Sequence, residues 1–576
     1  MRLSRLAVKN FRNLAVIDIP LRPGAVIVGE NRAGKSNLLH ALRLVLDPSL
    51  PDSDRYLQRE DFWDGLSDGS ADWDPMASRE EIEVMVEISD IDDDDSALAI
   101  LADALIEGEP MKARLTYRYR PRPVGEGEEP GRGGYEWRLL GGLTDDVSVS
   151  REMRGYLYLT FLGALRDVAS DLRSWRRSPL RYLLDSVAEA ATEEDLAAIS
   201  DAILQANDAV AAFEPVRELG KTISGVMEEI AGQHHGLETE LGIAAPEPLR
   251  MLRSLRIFVD GASHRTLESA SLGTLNVLYL ALLELRLNRR VEQTEIAHAI
   301  VAIEEPEAHL HPHLQRLTFR RLLHQDEATR TVVVTTQSPH IASVAPPSSL
   351  IVLRSLEDRS MAAAAVDAEL TLAEWGDVER YLDATRAEMV FARRVLLVEG
   401  YAEQVLIPTF ARLQGIDLDQ HGVTVCAVHG THFATYARFL DALSIPWAVV
   451  TDGDPKESGE SAGKKRAARI LKRLGREDET PTDAGIFVGR VTLEHDIAAL
   501  SSENFEECRS TLRELVPSNK ARERIDAWSL DELEPDQLER AIRGCGGKGR
   551  FAHRLSQQTL DPPPYILDAL RFLADE

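Results

Sequence analysis

Three clusters in this 576-residue chain have residue types and spacings that chemistry can use. The first is Gly29-Glu30-Asn31-Arg32-Ala33-Gly34-Lys35-Ser36, which fits G-x-x-x-x-G-K-[ST] without a mismatch. Its glycines permit backbone angles that turn successive N–H groups towards an anion, and a following helix aims its positive end at the same point. In that setting Gly29, Asn31 and Gly34 shape a phosphate cradle. Lys35 reaches the β- and γ-phosphates of ATP, and Ser36 holds Mg²⁺. An ordinary glycine turn is the competing reading, but it does not need the apolar strand before and the helix after.

The second cluster is the apolar run Ala299 to Ile303, which ends in Glu304-Glu305-Pro306-Glu307. Beside a phosphate loop, Glu304 would sit by Mg²⁺, directly or through water, and Glu305 would orient or activate the attacking water. The third joins Glu399-Gly400-Tyr401-Ala402-Glu403 with Asp452-Gly453-Asp454, each placed just after an apolar run. Carboxylates at the C-terminal ends of parallel strands converge on one sheet edge. Such acids repel one another when all are ionised, and divalent cations with oxygen ligands, Mg²⁺ or Mn²⁺, relieve that repulsion. Taken singly, E-G-x-x-E also reads as a helix-start cap and D-G-D as a turn.

The elements that must position these residues follow from periodicity. Residues 3–9 and 16–19 read as a hairpin, Ala25 to Val28 as a short strand, and Lys35 to Leu46 as a helix. Segments 81–88 and 112–120 alternate like half-buried strands. The acidic run Asp92 to Asp95 between them reads as a solvated turn, and 121–134 as a Pro/Gly/Glu-rich loop. From 165 to 250 an Ala/Leu/Glu-rich helical pattern takes over, either a dimerisation element or a structural arm. Ala299 to Ile303 and Thr331 to Thr335 are expected as buried parallel strands. A linker is expected near 355–385. Beyond it Val395 to Val398, Val423 to Val428, Trp447 to Thr451 and Ile486 to Val491 alternate with helical stretches, which implies a parallel sheet. The domain division expected is 1–164, 165–250, 251–385 and 386–576.

Composition bounds the function. No run of about 18 apolar residues occurs, so no membrane span is expected. The N-terminus lacks the apolar region of a signal peptide. The three cysteines, Cys426, Cys508 and Cys545, match no zinc or disulfide spacing, which fits a reducing cytoplasm. With a net charge of −29 the whole surface does not attract nucleic acid, so binding would rely on local basic patches and bound cations. Lys464, Lys465, Arg466, Arg469, Lys472, Arg473 and Arg476 form the strongest patch, read equally as a DNA-facing surface or as a solvated helix face.

Leu6-Ala-Val-Lys-Asn10-Phe11-Arg12-Asn13-Leu14, the phosphate loop and Glu304 to Pro312 together resemble ABC-type ATPases of the SMC and OLD (overcoming lysogenization defect) kind. The resemblance implies that two protomers sandwich ATP. It makes Ser271-Leu272-Gly273-Thr274 the candidate signature loop, with Ser271 and Gly273 at the nucleotide, although the full LSGGQ pattern is missing. It also implies a γ-phosphate sensor within Thr335 to His340, where Gln337 stands in place of the His of many relatives. Glutamine can hydrogen-bond a phosphate or water but cannot become cationic. His309, His311 and His313 suggest zinc by type, but their spacing after the Pro-Glu turn fits the ATPase motif better.

Glu399, Glu403, Asp452 and Asp454 resemble the metal ligands of the Toprim domain of topoisomerases, primases and OLD nucleases. Leu493-Glu494-His495-Asp496 is similar to that family's later acidic motif, which implies Glu494 as a further ligand. Gly547-Lys548-Gly549-Arg550 is similar to the segment carrying a catalytic lysine, and the competing reading of Lys548 is a surface lysine beside a glycine turn. A topoisomerase would need a separate breakage domain with a nucleophilic tyrosine, for which the chain beyond 390 has no room; Tyr401, inside the Glu-Gly motif, is a poor candidate.

The order of parts resembles an OLD-family ATP-dependent nuclease over nearly the whole chain, and is similar to Gabija-type defence nucleases. What this implies is an α/β fold: an ABC-type ATPase with an inserted helical dimerisation region, then a Toprim domain with a C-terminal helical extension. It implies a DNA endonuclease regulated by ATP, using two-metal phosphodiester hydrolysis, with Asp452, Asp454 and Lys548 catalytic there and Glu305 catalytic in the ATPase. Cofactors are ATP and Mg²⁺ (or Mn²⁺) at both sites. Expected partners are DNA, one or more further copies of the chain and, in Gabija-type systems, a UvrD-like helicase, with no membrane. The expected setting is anti-phage defence in the cytoplasm. A nucleotide-controlled DNA clamp or sensor and a DNA-repair nuclease are the alternatives.

Overall fold

The N-terminal hairpin forms between Arg2–Phe11 and Leu14–Pro20, with Val8 opposite Ile17. In the computed structural model it begins an antiparallel sheet ordered Leu14–Pro20, Arg2–Phe11, Ile82–Ser89, Lys112–Pro121 and Leu105–Ile106, with Tyr135–Gly141 also on Lys112–Pro121. The structure describes the chain apart from 71–72, 109, 123–133, 165–167, 175–177, 232–246, 254, 260–264, 325–329, 358, 457–459 and 576. The loop expected at 121–134 therefore lies almost wholly outside the described residues. Asp94 is no passive turn residue: its carboxylate accepts from Ala97 N and caps the helix Asp95–Ile100.

A second sheet runs in the order Arg359–Ala364, Leu350–Leu356, Ala25–Gly29, Arg330–Thr336, His298–Glu304 and Leu157–Leu162. All pairs are parallel except the edge strand Arg359–Ala364. The β-branched runs make the central strands, buried on both faces. The helix Lys35–Leu46 packs Leu38, Leu39, Leu42 and Leu46 into a core shared by both sheets. The expected linker near 355–385 is corrected here. Its first part is the edge strand Arg359–Ala364, and Leu372–Tyr381 is a helix with a Thr371/Glu374 capping box. Alanines at 362–364 have weak strand propensity; pairing with Leu350–Leu356 makes the strand.

Four strands form the third sheet in the order Val423–Ala427, Arg394–Val398, Trp447–Thr451 and Ile486–Val488, all parallel. The last strand stops at Val488, three residues before the expected Val491. Helices Tyr401–Leu413, Ser502–Leu515, Lys548–Leu555 and Pro564–Asp575 supply much of the core around it.

These three sheets lie in one compact unit, Met1–Ala164 with Ile296–Glu576, while a two-stranded sheet of Phe258–Val259 and Arg265–Thr266 lies outside it. Leu165–Glu295 is a second, mainly helical unit, and the expected boundary at 250 falls inside it. Its own core holds Val168, Leu172, Leu275 and Leu282. The helix Glu193–Ala211 buries none of its residues, and Leu204, Val210, Phe213, Leu219 and Val226 are exposed. Among the described residues, no helix is long and apolar enough to cross a membrane.

The C-terminal helices are tied to the third sheet's surroundings by a buried amide. Asn504, 1% exposed, donates to the carbonyls of Ile497 and Asp561 and accepts from Asp561 N. Asn504→Ala strands these backbone groups, so thermal or urea unfolding is expected to show a loss of about 2–3 kcal/mol.

Candidate nucleotide and carboxylate sites

The phosphate loop spans the end of the strand Ala25–Gly29 and the start of the helix Lys35–Leu46. Gly34 has φ +96°, and a Cβ there would lie 2.9 Å from the Asn13 side chain, so only glycine fits. No side chain caps this helix N-terminus and no acid occupies its first turn, which leaves its N–H groups for an anion. Lys35 is buried at 5% exposure and its Nζ donates to the carbonyls of Gly29 (2.8 Å) and Glu30 (3.1 Å). Burial lowers its pKa, opposed by Glu305, Glu307 and Glu304. Asn31 and Ser36 are exposed. The loop is braced from the hairpin turn: Asn13 donates to Arg32 O and accepts from Asn37, which also accepts from Arg12.

Glu304 and Glu305 stand at the end of His298–Glu304, as expected. Glu304 accepts from Ala164 N at 3.4 Å. Glu305 lies 3.8 Å from Lys35 Nζ and accepts from Gln337 Nε2 at 2.5 Å. The backbone of Glu305 is left-handed, φ +41°, a strained conformation of the kind found at functional sites. Gln337 is thus brought to the acids that follow His298–Glu304. Glu307, to which the motif alone assigns no role, joins the same acids. It accepts from Gln337 N (2.7 Å) and Thr336 Oγ1 (2.9 Å), and its position in the Glu-Pro-Glu motif was the available signal. His309, His311 and His313 are exposed; His311 Nδ1 accepts from His313 N at the start of the helix Pro312–Leu323. Ser271 and Gly273 belong to the second unit, where Ser271 caps Leu272–Glu292 by accepting from Thr274 N.

The other site lies at the C-terminal edge of the four-stranded sheet. Glu399 and Asp452 directly follow the strands Arg394–Val398 and Trp447–Thr451. Glu403 lies in the first turn of Tyr401–Leu413 and accepts from Gly400 N; Glu494 lies in the first turn of Leu493–Ala498. Asp452 accepts from Leu493 N at 2.9 Å, which draws that helix in. Gly549 lies against the Tyr401 ring, and the neighbouring Lys548 reaches Glu494 at 3.0 Å. Lys548, although 45% exposed, is thus ion-paired into the cluster. Burial works against its charge, but Glu494, Asp452 and Glu403 outweigh it and raise its pKa.

Glu403, Asp452 and Glu494 are buried at 5%, 8% and 2% exposure. Desolvation raises Asp452 to about 8, helped by Glu399, Glu403 and Glu494, with Lys548 opposing. Glu403 rises to about 7, again by burial first and then by Glu494 and Glu399, against its own backbone hydrogen bond and Lys548. Glu494 Oε1 is buried without a hydrogen-bond partner. An oxygen-only donor set with buried acids in mutual repulsion and an orphaned carboxylate oxygen suits a hard divalent cation. Among the described residues no three acids, histidines or cysteines already form a closed cage. Instead three of the five carboxylates pair with two cations, Glu494 with Lys548 and Glu399 and Asp454 with Arg466. Arg466 stands in the sequence as one of a run of basic residues. Its guanidinium donates to Glu399 (3.0 Å) and Asp454 (2.9 Å). Asp496 accepts from Arg490 N and Val491 N and fixes the turn after Ile486–Val488; its place in the Leu493-Glu-His-Asp motif is its only signal in the sequence.

The two sites are joined within the same unit. Arg393, which precedes Arg394–Val398, pairs in bidentate fashion with Glu30 of the phosphate loop at 2.8 and 3.2 Å. Arg354 donates to the carbonyls of Ala392 and Arg393. A cavity of about 300 Å³ beside these contacts is lined by Gly29, Glu30, Leu353, Arg354, Arg393 and Pro446 among others.

Residues 390–454 match the family described as "Overcoming lysogenization defect protein-like, TOPRIM domain". Residues 1–100 and 181–342 match "AAA ATPase domain". The chain is 29% identical over 465 residues to a protein named OLD nuclease from Thermus scotoductus, covering 78% of this chain and 82% of that one. It is 23% identical over 491 residues to one named endonuclease GajA from Bacillus cereus, covering 83% and 80%. The solved C-terminal region of the Burkholderia pseudomallei OLD protein is 36% identical, aligns over 98% of its own length and 32% of this chain, and has a TM-score of 0.29.

Asp452 and Glu403 have folded-state pKa values of about 8 and about 7, above the ordinary 3.8 and 4.5. The folded protein therefore keeps protons that the unfolded chain has released. Their contribution to stability is full below the ordinary values and is lost as pH rises through about 7 to 8. In chelator-treated protein, the melting temperature of wild type is expected to fall relative to Asp452→Asn as pH rises through this window. Added Mn²⁺ should restore it most at the alkaline end, and calorimetric melts across pH test this.

Proposed function

The chain belongs to the overcoming lysogenization defect (OLD) family, and from that premise we propose that it is an ATP-regulated DNA endonuclease that cuts with divalent cations. The observation carrying this reading is the packing of Glu399, Glu403, Asp452, Asp454 and Glu494 around one sheet edge, with Lys548 bonded into the cluster. Glycine turns and helix caps do not require buried acids that repel one another. A site that binds a phosphodiester through cations does.

In this reading the five acids hold Mg²⁺ or Mn²⁺. Such cations supply Lewis acidity at the scissile phosphate and lower the pKa of water. Asp452 and Glu403 must surrender their protons for this, so binding is favoured at neutral to alkaline pH. Lys548 stabilises charge developing on the phosphate, a role for which its raised pKa keeps it protonated. On the ATPase side Gly29, Asn31, Gly34, Lys35 and Ser36 hold the phosphates and Mg²⁺. Glu304 supports the metal, Glu305 orients water, and Gln337, already bonded to Glu305, reports on the γ-phosphate. Ser271 and Gly273 cap nucleotide on a second copy. The exposed apolar residues of the inserted helices support that insertion as the element joining copies.

Regulation by ATP is supported by the Glu30–Arg393 pair. Glu30 is inside the phosphate loop, and Arg393 directly precedes the strand Arg394–Val398, which Glu399 follows. Both side chains are largely exposed, so the pair adds little stability; its effect is to tie the movement of one loop to the other. Anti-phage defence is the biological role this architecture supports, and phage plating on cells with and without the gene tests it.

Plasmid nicking with Mg²⁺ or Mn²⁺ is expected, and Asp452→Ala should lower it by about 10²-fold or more. Equal nicking by that variant refutes the site, and DNA retention without product under every divalent cation leaves a nucleotide-controlled binder. Lys35→Ala is expected to lose ATP binding while keeping Mn²⁺ binding at the carboxylate site. Arg393→Ala should keep both binding activities yet lose the effect of ATP on the nicking rate.

A further inference from the structure

Arg466 sits in the helix Ala462–Leu474, whose other basic residues Lys464, Lys465, Arg469, Lys472 and Arg473 are exposed. Its own side chain is 12% exposed. All of its donors point at the acidic edge: Nε to Thr451 Oγ1 at 2.8 Å, one terminal nitrogen to Asp454 at 2.9 Å, the other to Glu399 at 3.0 Å and to Asp452 O at 2.5 Å. The helix is set against the Asp-Gly-Asp turn by Gly463. A Cβ there would lie 2.3 Å from Asp452 O, and Gly463 N donates to Gly453 O at 2.9 Å. One turn on, that contact fixes where Arg466 must point.

Three of the five acids are paired with two cations. Lys548 takes Glu494, while Arg466 takes Glu399 and Asp454, the two more exposed carboxylates. A divalent cation ligated by Glu399 and Asp454 needs their oxygens at about 2.0–2.2 Å, close to where the guanidinium now stands. Two unscreened cations at that spacing repel strongly, so both cannot keep these oxygens.

We propose that Arg466 is a positioning residue that acts as a tethered counter-cation: it holds Glu399 and Asp454 in ligating position and yields them to a divalent ion. Cation uptake at the site is therefore an exchange with Arg466 on the Glu399/Asp454 side. The exchange frees one guanidinium at the site just as a phosphodiester needs a partner. The charges agree: five carboxylates and one phosphodiester are balanced by two divalent ions, Lys548 and Arg466 together.

The inference rests on the carboxylates taking cations, and its test separates the two ideas. Mn²⁺ alone is titrated into the full-length chain and followed by electron paramagnetic resonance. Uptake by wild type that is lost in Asp452→Ala supports the site itself; no uptake by wild type overturns both ideas. Given uptake, Arg466→Gln is expected to lower the Kd of the weaker Mn²⁺ step by about tenfold or more, and Arg466→Lys to stay near wild type. An unchanged or higher Kd in Arg466→Gln overturns the exchange, since a merely structural arginine would weaken or not move Mn²⁺ binding. Should Arg466→Gln fail to fold, phenylglyoxal labelling of wild type decides, with peptides mapped by mass spectrometry. Labelling of Arg466 is expected to rise on adding Mn²⁺, and labelling indifferent to Mn²⁺ overturns the proposal.

Discussion

Crowding of like charge at the edge of the four-stranded sheet is the constraint on which the rest of the carboxylate site depends. Parallel strands end together, so Glu399 and Asp452 arrive side by side whatever else the chain does. Two helices then add Glu403 and Glu494 from other directions; these two and Asp452 are buried, while Glu399 and Asp454 stay partly exposed. A buried acid without compensation moves its pKa towards the neutral form, and Asp452 and Glu403 do so. Arg466 and Lys548 offset part of the repulsion, one from the helix after the Asp-Gly-Asp turn and one from the C-terminal extension. That extension is thus part of the site's electrostatics as well as of its core.

The phosphate loop meets the opposite problem. Its uncapped helix N-terminus and Lys35 make a place for negative charge, while Glu304, Glu305 and Glu307 stand close by. Lys35 is held on the loop's own carbonyls and Glu305 by Gln337. A polyphosphate ligand would compete for Lys35 directly. The Asn10-to-Asn13 turn is part of this arrangement, because Asn13 and Arg12 brace the loop through Arg32 and Asn37. Glu30 is also paired with Arg393, which directly precedes the strand Arg394–Val398. Arg354, much more buried than either, pins the same turn through the carbonyls of Ala392 and Arg393.

Several features stood in the sequence because they are local. G-x-x-x-x-G-K-S encodes its own turn and helix start, and the apolar β-branched runs before Glu304, Glu399 and Asp452 encode strands that leave those acids at strand ends. Other features are legible only from helical spacing. Gly463, Arg466, Ala467 and Ile470 share one helical stripe, so Arg466 belonged to the inward face and not to the basic one. The edge strand Arg359–Ala364 gave no such signal, since alanine-rich segments become strands only beside a partner.

What the sequence determined by itself was residue chemistry at short range: which side chains could hold a phosphate or a cation, and which elements would carry them. Tertiary structure alone decided how those parts meet. Glu30 and Arg393 are 363 positions apart, and Lys548 and Glu494 come from different helices, so no local pattern encodes either pair. Pairing of this kind is set by strand order and helix packing, which fix distances between segments that periodicity describes one at a time.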